Sequence, residues 1–268
     1  MTPATGSGPI IAGRKGPPAW AKRSRAARIA GVKLLLFDLD GTLLLTDGAG
    51  VRAMERAGRL VLGERFTLEG LTTAGGMDPL IYAEAAARAG VQDAHLHHET
   101  FRRTYLEELR TELAANGHRA RVMPGIAELL DRLAGDPRVI VGMLTGNYAE
   151  AVPLKLAAVG LELERFAVVA FGDDAPTREA LVSVALARAA GRTACSLTAA
   201  DVIVIGDTPA DIRCARANGC GLLAVATGRY SVDQLRQAGA EAVVQDLSDP
   251  SPLLRMIASP GVEEVSPA

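Results

Sequence analysis

Two aspartates one residue apart follow a short apolar run near the start of the chain, in the sequence LLLFDLDGT. Residues 34–37 are all bulky and apolar, as expected of a strand that is buried on both faces inside a parallel sheet. Asp38 and Asp40 come at the end of this strand, where burial and mutual repulsion make two charged carboxylates costly. We therefore expect a cation or a reaction to use this pair.

Length and composition are typical of an ordinary globular protein. The chain has 268 residues, 49% of them hydrophobic and 4% aromatic, which suffices for one large α/β domain or for a core with a smaller second domain. No apolar run approaches the roughly 20 residues that span a bilayer, and the N-terminus lacks the pattern of a secretory signal. Cys195, Cys214 and Cys220 lack metal-type spacing, which favours free thiols and a cytoplasmic location.

The N-terminal segment is strongly basic. Residues 1–33 contain seven Lys and Arg residues and no acidic residue, so the rest of the chain carries −9 when the whole chain carries −2. Such a segment can bind nucleic acid or a membrane surface, but its Gly, Pro and Ser content also suits a solvated extension. The acidic remainder argues against a nucleic-acid partner. We predict flexible tails at residues 1–32 and 259–268.

From residue 33 onward, predicted strands and helices alternate. This order is typical of a parallel sheet with helices on both faces, the Rossmann-like class of α/β fold. Between residues 51 and 118 every apolar pattern has helical spacing, and this block is too long for a simple crossover between strands. We predict an inserted α-helical cap domain at residues 48–121 and a core domain formed by residues 33–47 and 122–258.

Chemically versatile residues follow four of the predicted strands. Because the carboxyl ends of parallel strands meet at one edge of the sheet, we expect these residues to lie together. They are Asp38, Asp40, Thr145, Gly146, Asn147, Arg178, Asp207 and Asp211. Carboxylate oxygens are the ligands that Mg²⁺ prefers. Asp38 and Asp207 come from two strand ends and could share one ion, while Asp211 falls in the first turn of the next helix.

The other members of this set suit a phosphate group. Thr145 and Gly146 lie between a strand and a helix that we predict at residues 147–159, and the hydroxyl of Thr145 and the free N–H groups at the helix start, from Asn147 onward, can hold an anion. Arg178 can bind phosphate oxygens, and Lys155 is a competing candidate for that role. One aspartate would attack phosphorus, while the other gives a proton to the leaving alcohol and later takes one from water.

These residues resemble the four motifs of the haloacid dehalogenase-like (HAD) hydrolase superfamily, in the same order along the chain. In motif order, the matching residues are Asp38, Asp40 and Thr42, then Thr145, then Arg178, then Asp207 and Asp211. The first and fourth motifs together are highly specific, whereas the second and third would be weak alone. The resemblance covers residues 33–247 and implies a Rossmann-like core with a helical cap.

The resemblance also implies a role for each residue. Asp38 would be the nucleophile and Asp40 the general acid and base. Mg²⁺ would be held by Asp38, Asp207 and the main-chain carbonyl of Asp40, with Asp211 in or next to that shell. Because the halide-releasing members usually lack the second aspartate, Asp40 points to a phosphatase that hydrolyses a small phosphomonoester through an aspartyl-phosphate.

The cap sequence resembles that of members similar to phosphoglycolate phosphatase and β-phosphoglucomutase. In those members a cationic residue and a Thr often precede an aspartate that corresponds to Asp78 in TTAGGMDPLIY. Here Gly76 and Met77 occupy the two positions, which argues against phosphoglycolate as the substrate. The cap residues that could compensate are Arg52, Arg56, Thr72 and Thr73. Residues 34–154 contain no lysine, which argues against the Schiff-base chemistry of phosphonate hydrolysis.

Two alternative functions stay open. One is β-phosphoglucomutase-like phosphoryl transfer, and the other is a non-catalytic binding protein that retains the fold. The complete set of motif residues argues against the second alternative. The expected partner is a small-molecule phosphate ester, and the sequence does not indicate an oligomeric state.

Overall fold

Six parallel strands form the centre of the molecule. The computed structural model describes residues 31–192 and 197–259. Its strands are β1 (Lys33–Phe37), β2 (Leu44–Leu45), β3 (Arg121–Val122), β4 (Val139–Leu144), β5 (Val168–Ala170), β6 (Val202–Gly206), β7 (Gly221–Val225) and β8 (Val243–Val244). The parallel sheet has the order β5-β4-β1-β6-β7-β8. The predicted Rossmann-like α/β class is confirmed.

Helices cover both faces of this sheet. The α-helices are α1 (Ala49–Leu62), α2 (Asp78–Arg88), α3 (Ala94–Asn116), α4 (Ile126–Leu133), α5 (Ala151–Ala158), α6 (Leu181–Arg192), α7 (Pro209–Asn218), α8 (Val232–Gln237) and α9 (Ser251–Ala258). Successive side chains of β1 point to opposite faces. Leu35 and Phe37 belong to a cluster with α4, α5 and α9, whereas Leu34 and Leu36 belong to one with α6 and α7. Burial on both faces explains the uninterrupted apolar run.

Residues 49–116, which include helices α1, α2 and α3, form the helical insertion; they supply most of a separate apolar cluster, to which Tyr148 and Ala151 of the core also belong. The buried aromatic residues of the insertion are Phe66, Tyr82, Phe101 and Tyr105. The sequence predicts only helical patterns here, but residues 63–77 form a loop. Gly63, Gly70 and Gly75 adopt positive φ in this loop, a conformation that ends a right-handed helix and that glycine tolerates best.

Two short strands connect the helical insertion to the sheet. β2 and β3 pair in antiparallel fashion, Leu44 with Val122 and Leu45 with Arg121. The sequence does not reveal this pair, because two residues are too few for a period-two pattern. The division into a core domain and a cap domain at residues 48 and 121 stays a prediction.

Some predictions concern residues outside the described ranges. These are residues 1–30 and 260–268, which make up most of the predicted tails, and Cys195. Cys214 and Cys220 are free thiols. Among the helices in the described ranges, none is long and apolar enough to cross a membrane.

The register of the sheet brings three strand ends to one edge. Phe37 of β1 is aligned with Met143 of β4 and with Ile205 of β6. The segments that follow these three strands therefore leave the sheet at nearly the same level. This edge positions the candidate site.

Candidate active site

A cavity of about 470 Å³ lies between the carboxyl edge of the sheet and the helical insertion. Its charged and amide side chains from the core are Asp38, Asp40, Asn147, Lys155, Arg178, Asp207 and Arg229. Its larger side chains from the helical insertion are Val51, Met54, Leu68, Thr73, Asp78, Ile81 and Tyr105. The cavity therefore has a charged floor and a mostly apolar roof.

Three buried carboxylates converge at the floor. One oxygen from each of Asp38, Asp207 and Asp211 lies within 4.8 Å of the other two. Asp38 follows β1 and Asp207 follows the neighbouring strand β6. Asp211 is held by a capping box at the start of α7, where its Oδ2 accepts hydrogen bonds from the Thr208 backbone N–H at 3.0 Å and the Thr208 hydroxyl at 2.7 Å. The sheet register and this cap bring together the carboxylates of three of the four predicted metal ligands.

Arg178 lies between two of these carboxylates. Its Nη2 atom is 2.8 Å from Oδ1 of Asp38 and 2.6 Å from Oδ1 of Asp211, and its side chain is 5% exposed. Its Nε atom is buried and has no hydrogen-bond partner among the residues that the structure describes. Arg178 can therefore offset the charges of Asp38 and Asp211, and it has an N–H group left for an anion.

Negative charge at the floor exceeds what Arg178 offsets. Burial raises the pKa of Asp38, although the Arg178 guanidinium opposes this rise. Burial also raises the pKa of Asp207, and the charges of Asp38 and Asp211 add to that rise. Buried carboxylate oxygens with uncompensated charge are a suitable donor set for a hard divalent cation such as Mg²⁺.

Two glycines make room for the Asp207 carboxylate. A Cβ atom at Gly41 or at Gly228 would collide with the carboxylate of Asp207. Gly41 also has a φ of +90°, which disfavours any residue with a side chain. The hydroxyl of Thr42 donates to Oδ1 of Asp207 at 3.0 Å. Gly41 and Thr42, which follow β1, and Gly228, which follows β7, therefore shape the space around Asp207 at the candidate metal site.

Asp40 has a separate set of partners. Its Oδ2 accepts hydrogen bonds from Nζ of Lys155 at 2.6 Å and from Nδ2 of Asn147 at 2.8 Å. The carboxylate of Asp40 is not part of the three-carboxylate cluster. The sequence indicates Lys155 only as an alternative to Arg178, but both residues line the cavity and they hold different aspartates.

The segment after β4 differs from the anion seat that the sequence predicts. Helix α5 begins at Ala151, not at Asn147. The N–H groups of Asn147, Tyr148 and Ala149 already donate to side chains of Thr145, Asp78 and Asp173, respectively. Gly146 and Asn147 line the cavity, whereas Thr145 is fully buried and does not.

Asp78 joins the helical insertion to the core, a contact that sequence reasoning missed. Its backbone N–H donates to the Gly146 carbonyl at 2.7 Å, and its Oδ2 accepts from the Tyr148 N–H at 3.0 Å. Burial raises the pKa of Asp78 to about 6, although the nearby Lys155 charge and the Tyr148 hydrogen bond oppose this rise. A Cβ atom at Gly146 would collide with the Gly76 carbonyl, so glycine permits this close approach.

The two arginines that could supply a cap cation point elsewhere. Arg52 pairs with Glu112 at 2.8 Å, and Arg56 pairs with Glu108 at 2.8 Å, both on α3. Neither arginine lines the cavity, whereas Thr73 does. The structure therefore does not support Arg52 or Arg56 as a substitute for the cationic residue that is absent before Asp78.

Comparisons with known proteins agree with this geometry. The family model described as haloacid dehalogenase-like hydrolase matches residues 35–216, which include all the motif residues. No curated protein sequence matches the chain significantly.

Solved structures share the fold. A hydrolase from Pseudomonas syringae is 22% identical, with 85% of this chain and 100% of that chain covered and a TM-score of 0.62. A predicted phosphoglycolate phosphatase from Haemophilus somnus 129PT is 20% identical, with 84% of this chain and 99% of that chain covered and a TM-score of 0.60. CbbY from Rhodobacter sphaeroides in complex with phosphate is 22% identical, with 81% of this chain and 96% of that chain covered and a TM-score of 0.60.

At these identities the similarity to solved structures concerns the fold and not the substrate. The match to the family model extends over more than half of the chain and includes the strand ends that form the site. The chain belongs to the haloacid dehalogenase-like hydrolase family.

Proposed function

We propose that this protein is a Mg²⁺-dependent phosphatase that hydrolyses a small phosphomonoester through an aspartyl-phosphate on Asp38. The main support is the separation of two aspartates from one strand end. Asp38 lies among carboxylates beside Arg178, whereas Asp40 is held by Lys155 and Asn147, and both line one cavity. Two carboxylates in such different surroundings can serve as nucleophile and as proton carrier.

The buried carboxylates would hold the metal ion. Asp38, Asp207 and Asp211 supply hard oxygen ligands, and the main-chain carbonyl of Asp40 is proposed as a further ligand. When bound, Mg²⁺ would offset the charges of the carboxylates and of the substrate phosphate, which otherwise repel each other.

The side chains would then act in two steps. In the first, a carboxylate oxygen of Asp38 bonds to phosphorus while the ester oxygen leaves with a proton from Asp40. In the second, Asp40 takes a proton from a water molecule that attacks phosphorus, so inorganic phosphate leaves and Asp38 is restored.

The phosphate oxygens need donors during both steps. Arg178 would supply its unpartnered Nε–H group, and Gly146 and Asn147 border the same cavity. Thr145, which does not line the cavity, would act by holding Asn147 through hydrogen bonds to its own hydroxyl oxygen.

Phosphate release from a panel of phosphomonoesters tests this function. We expect release that needs Mg²⁺, stops with EDTA and is abolished in Asp38→Asn. The exposed Asp131→Asn on α4 is the matched control and should retain activity. Full activity of Asp38→Asn would contradict the mechanism. Conversion of a hexose 1-phosphate to its isomer would favour the mutase, and a folded, Mg²⁺-binding protein with no turnover would favour the binding protein.

A further inference from the structure

Three buried tyrosines belong to the apolar cluster of the helical insertion, and their hydroxyl groups have different surroundings. Tyr82, Tyr105 and Tyr148 are 3%, 1% and 1% exposed. The Tyr82 hydroxyl donates to the Ala94 carbonyl at 2.7 Å, and the Tyr148 hydroxyl lies 2.8 Å from Nε2 of His98. The Tyr105 hydroxyl has no hydrogen-bond partner among the residues that the structure describes. Because buried polar groups are nearly always hydrogen-bonded, this hydroxyl needs a partner that these residues do not supply.

The Tyr105 hydroxyl lies at the cavity of the candidate active site. Tyr105 and Gly50 both line this cavity, and a Cβ atom at Gly50 would lie 3.6 Å from the Tyr105 hydroxyl oxygen. The Tyr105 ring packs against the rings of Phe101 and Tyr148, with centroids 6.3 and 6.0 Å away. This packing fixes the position of the hydroxyl. Since Gly50 has no side chain that could cover it, the hydroxyl is open to a ligand in the cavity.

The same glycine shows which part of a substrate the hydroxyl would meet. A Cβ atom at Gly50 would also lie 3.1 Å from Nζ of Lys155, which donates to Oδ2 of Asp40 at 2.6 Å. In the proposed reaction Asp40 gives its proton to the ester oxygen, so the alcohol leaves next to Asp40 and Lys155. The Tyr105 hydroxyl therefore lies near the alcohol portion of the substrate.

The chemistry of this hydroxyl determines what it can bind. Burial raises the pKa of Tyr105 well above its usual value, and the charges of Asp78 and Asp40 add to this rise. The hydroxyl therefore keeps its proton at neutral pH and can donate a hydrogen bond. Water in a polar cavity can accept such a bond, but a ligand that displaces the water must supply an acceptor in its place. A ligand without one leaves a buried donor unpaired, which weakens its binding.

We propose that Tyr105 is a substrate-binding residue that determines specificity, and that the alcohol of the substrate carries an oxygen atom near its ester carbon that accepts the Tyr105 hydrogen bond. This inference rests on the proposed phosphatase function for the direction of the substrate, with its phosphate at the carboxylate floor. The substrate is then the phosphomonoester of an alcohol with a further hydroxyl or carbonyl oxygen. A site that hydrogen-bonds such an oxygen discriminates against the analogue that lacks it.

Matched esters and matched variants test this inference without turnover. A hydroxyl group replaces a terminal methyl group between propyl and 2-hydroxyethyl phosphate, and likewise between butyl and 3-hydroxypropyl phosphate. The dissociation constants of these four esters are measured by calorimetry with Mg²⁺ in the Asp38→Asn protein. When Tyr105→Phe is added, we expect the preference for the hydroxylated ester to fall about three- to tenfold in at least one pair.

Tyr82→Phe is the matched control. It removes a hydroxyl from the same cluster, but Tyr82 does not line the cavity of the candidate active site, so the preference should not change. The side chains of Thr46 and Arg229 also line this cavity and could hold the same oxygen. A preference that is unchanged by Tyr105→Phe in both pairs would therefore overturn the inference. An equal fall in Tyr82→Phe would also overturn it, because the packing of the cluster would then explain the effect.

The hydroxyl can also be observed directly. The chain contains four tyrosines, so ¹³C labelling of the ring carbon that bears the hydroxyl gives few NMR signals, and Tyr105→Phe identifies the signal of Tyr105. We expect the hydroxylated ester of the discriminating pair to shift this signal more than its methyl analogue does, and neither ester to shift the Tyr82 signal. Equal shifts of the Tyr105 signal with both esters would contradict the hydrogen bond.

Failure of this inference is distinguishable from failure of the proposed function. If the esters are hydrolysed with the same order of preference in the unmodified protein and in Tyr105→Phe, the role of Tyr105 is overturned and the phosphatase stands. If Tyr105→Phe removes a preference in binding but the unmodified protein releases no phosphate, the phosphatase is overturned and the role of Tyr105 in binding stands.

Discussion

The ammonium nitrogen of Lys155 lies 2.6 Å from Oδ2 of Asp40, although the two residues come from elements far apart in the chain. The same nitrogen donates to Oδ1 of Asn147 at 2.5 Å, and the Lys155 side chain is 5% exposed. A buried ammonium group is costly unless it is paired, so the Asp40 carboxylate is part of what keeps Lys155 in place. Conversely, Lys155 and Asn147 fix the direction in which Asp40 faces the cavity.

Removal of Lys155 should therefore impair the proton carrier. We expect Lys155→Met to lower kcat about 100-fold, the scale on which a positioned acid or base contributes, with a smaller effect on KM. Lys33→Met is the matched control, because Lys33 is also buried but contacts Ala200 and Asp201 and does not line the cavity. Steady-state kinetics of both variants measure these changes in kcat and KM. An equal loss of kcat in both variants would show that Lys155 is only structural.

Arg178 should be coupled to the metal. In Arg178→Met the carboxylates of Asp38 and Asp211 lose their shared cation, so we expect turnover to fall more than about 100-fold. Mg²⁺ should also raise the melting temperature of this variant more than that of the unmodified protein, because the ion then offsets more charge. Arg188 lies on α6 and pairs with Asp174, away from the three carboxylates, so Arg188→Met should leave both properties unchanged.

An equal rise of the melting temperature with Mg²⁺ in the unmodified protein, Arg178→Met and Arg188→Met would contradict this coupling between Arg178 and the metal. Arg178→Lys keeps the charge but not the planar group, and it should retain part of the turnover.

Asp78 should make stability depend on pH in an unusual direction. Its pKa is raised from 3.8 to about 6 by burial, so between these values the unfolded chain loses the proton that the folded protein keeps. The contribution of Asp78 to stability therefore falls as pH rises through this window, by at most about 3 kcal/mol. Asp78→Asn keeps an oxygen that can accept the Tyr148 N–H and has no such dependence.

Urea denaturation at pH 4 and pH 7.5 measures this effect. We expect the asparagine variant to match the unmodified protein at pH 4 and to be the more stable of the two at pH 7.5. A stability difference that is the same at both pH values would refute the account of Asp78.

Arg102 should hold the helical insertion against the core. From α3 it pairs with Glu150 and Asp173 of the core at 2.8 and 2.9 Å, and its guanidinium lies 4.9 Å from the centre of the Tyr148 ring. Arg102→Ala should raise KM several-fold and increase hydrogen exchange in residues 75–78, which contact the core at Thr208 and Gly146. Arg103→Ala, at the neighbouring exposed position, should change neither KM nor hydrogen exchange.

The sequence predicts those parts of the molecule that depend on local patterns. Apolar strands that end in aspartates predict the sheet and the convergence of Asp38 with Asp207, because parallel strands share a carboxyl edge. The partners of the N–H groups after β4 were not predictable, since Asp78 and Asp173 reach them from other elements. Lys155 was likewise ambiguous, because only the packing of α5 shows which aspartate it holds.

The roof of the cavity is the other part that sequence patterns could not supply. Arg52 and Arg56 are candidate cations by position along the chain, and their pairing with α3 is a matter of helix packing. Residues 63–77 form a loop inside the block that the sequence predicts to be helical, so the positions of Leu68 and Thr73 at the cavity were not predictable.

The covalent state of Asp38 tests the central claim most directly. The protein with Mg²⁺ and a hydrolysed ester should be quenched in acid within one turnover and its peptides examined by mass spectrometry. We predict one added phosphoryl group on the peptide that contains Asp38, absent with EDTA and absent in Asp38→Asn. Phosphate release with no phosphorylated peptide at any time within the turnover, or phosphorylation that persists in Asp38→Asn, would contradict the aspartyl-phosphate mechanism.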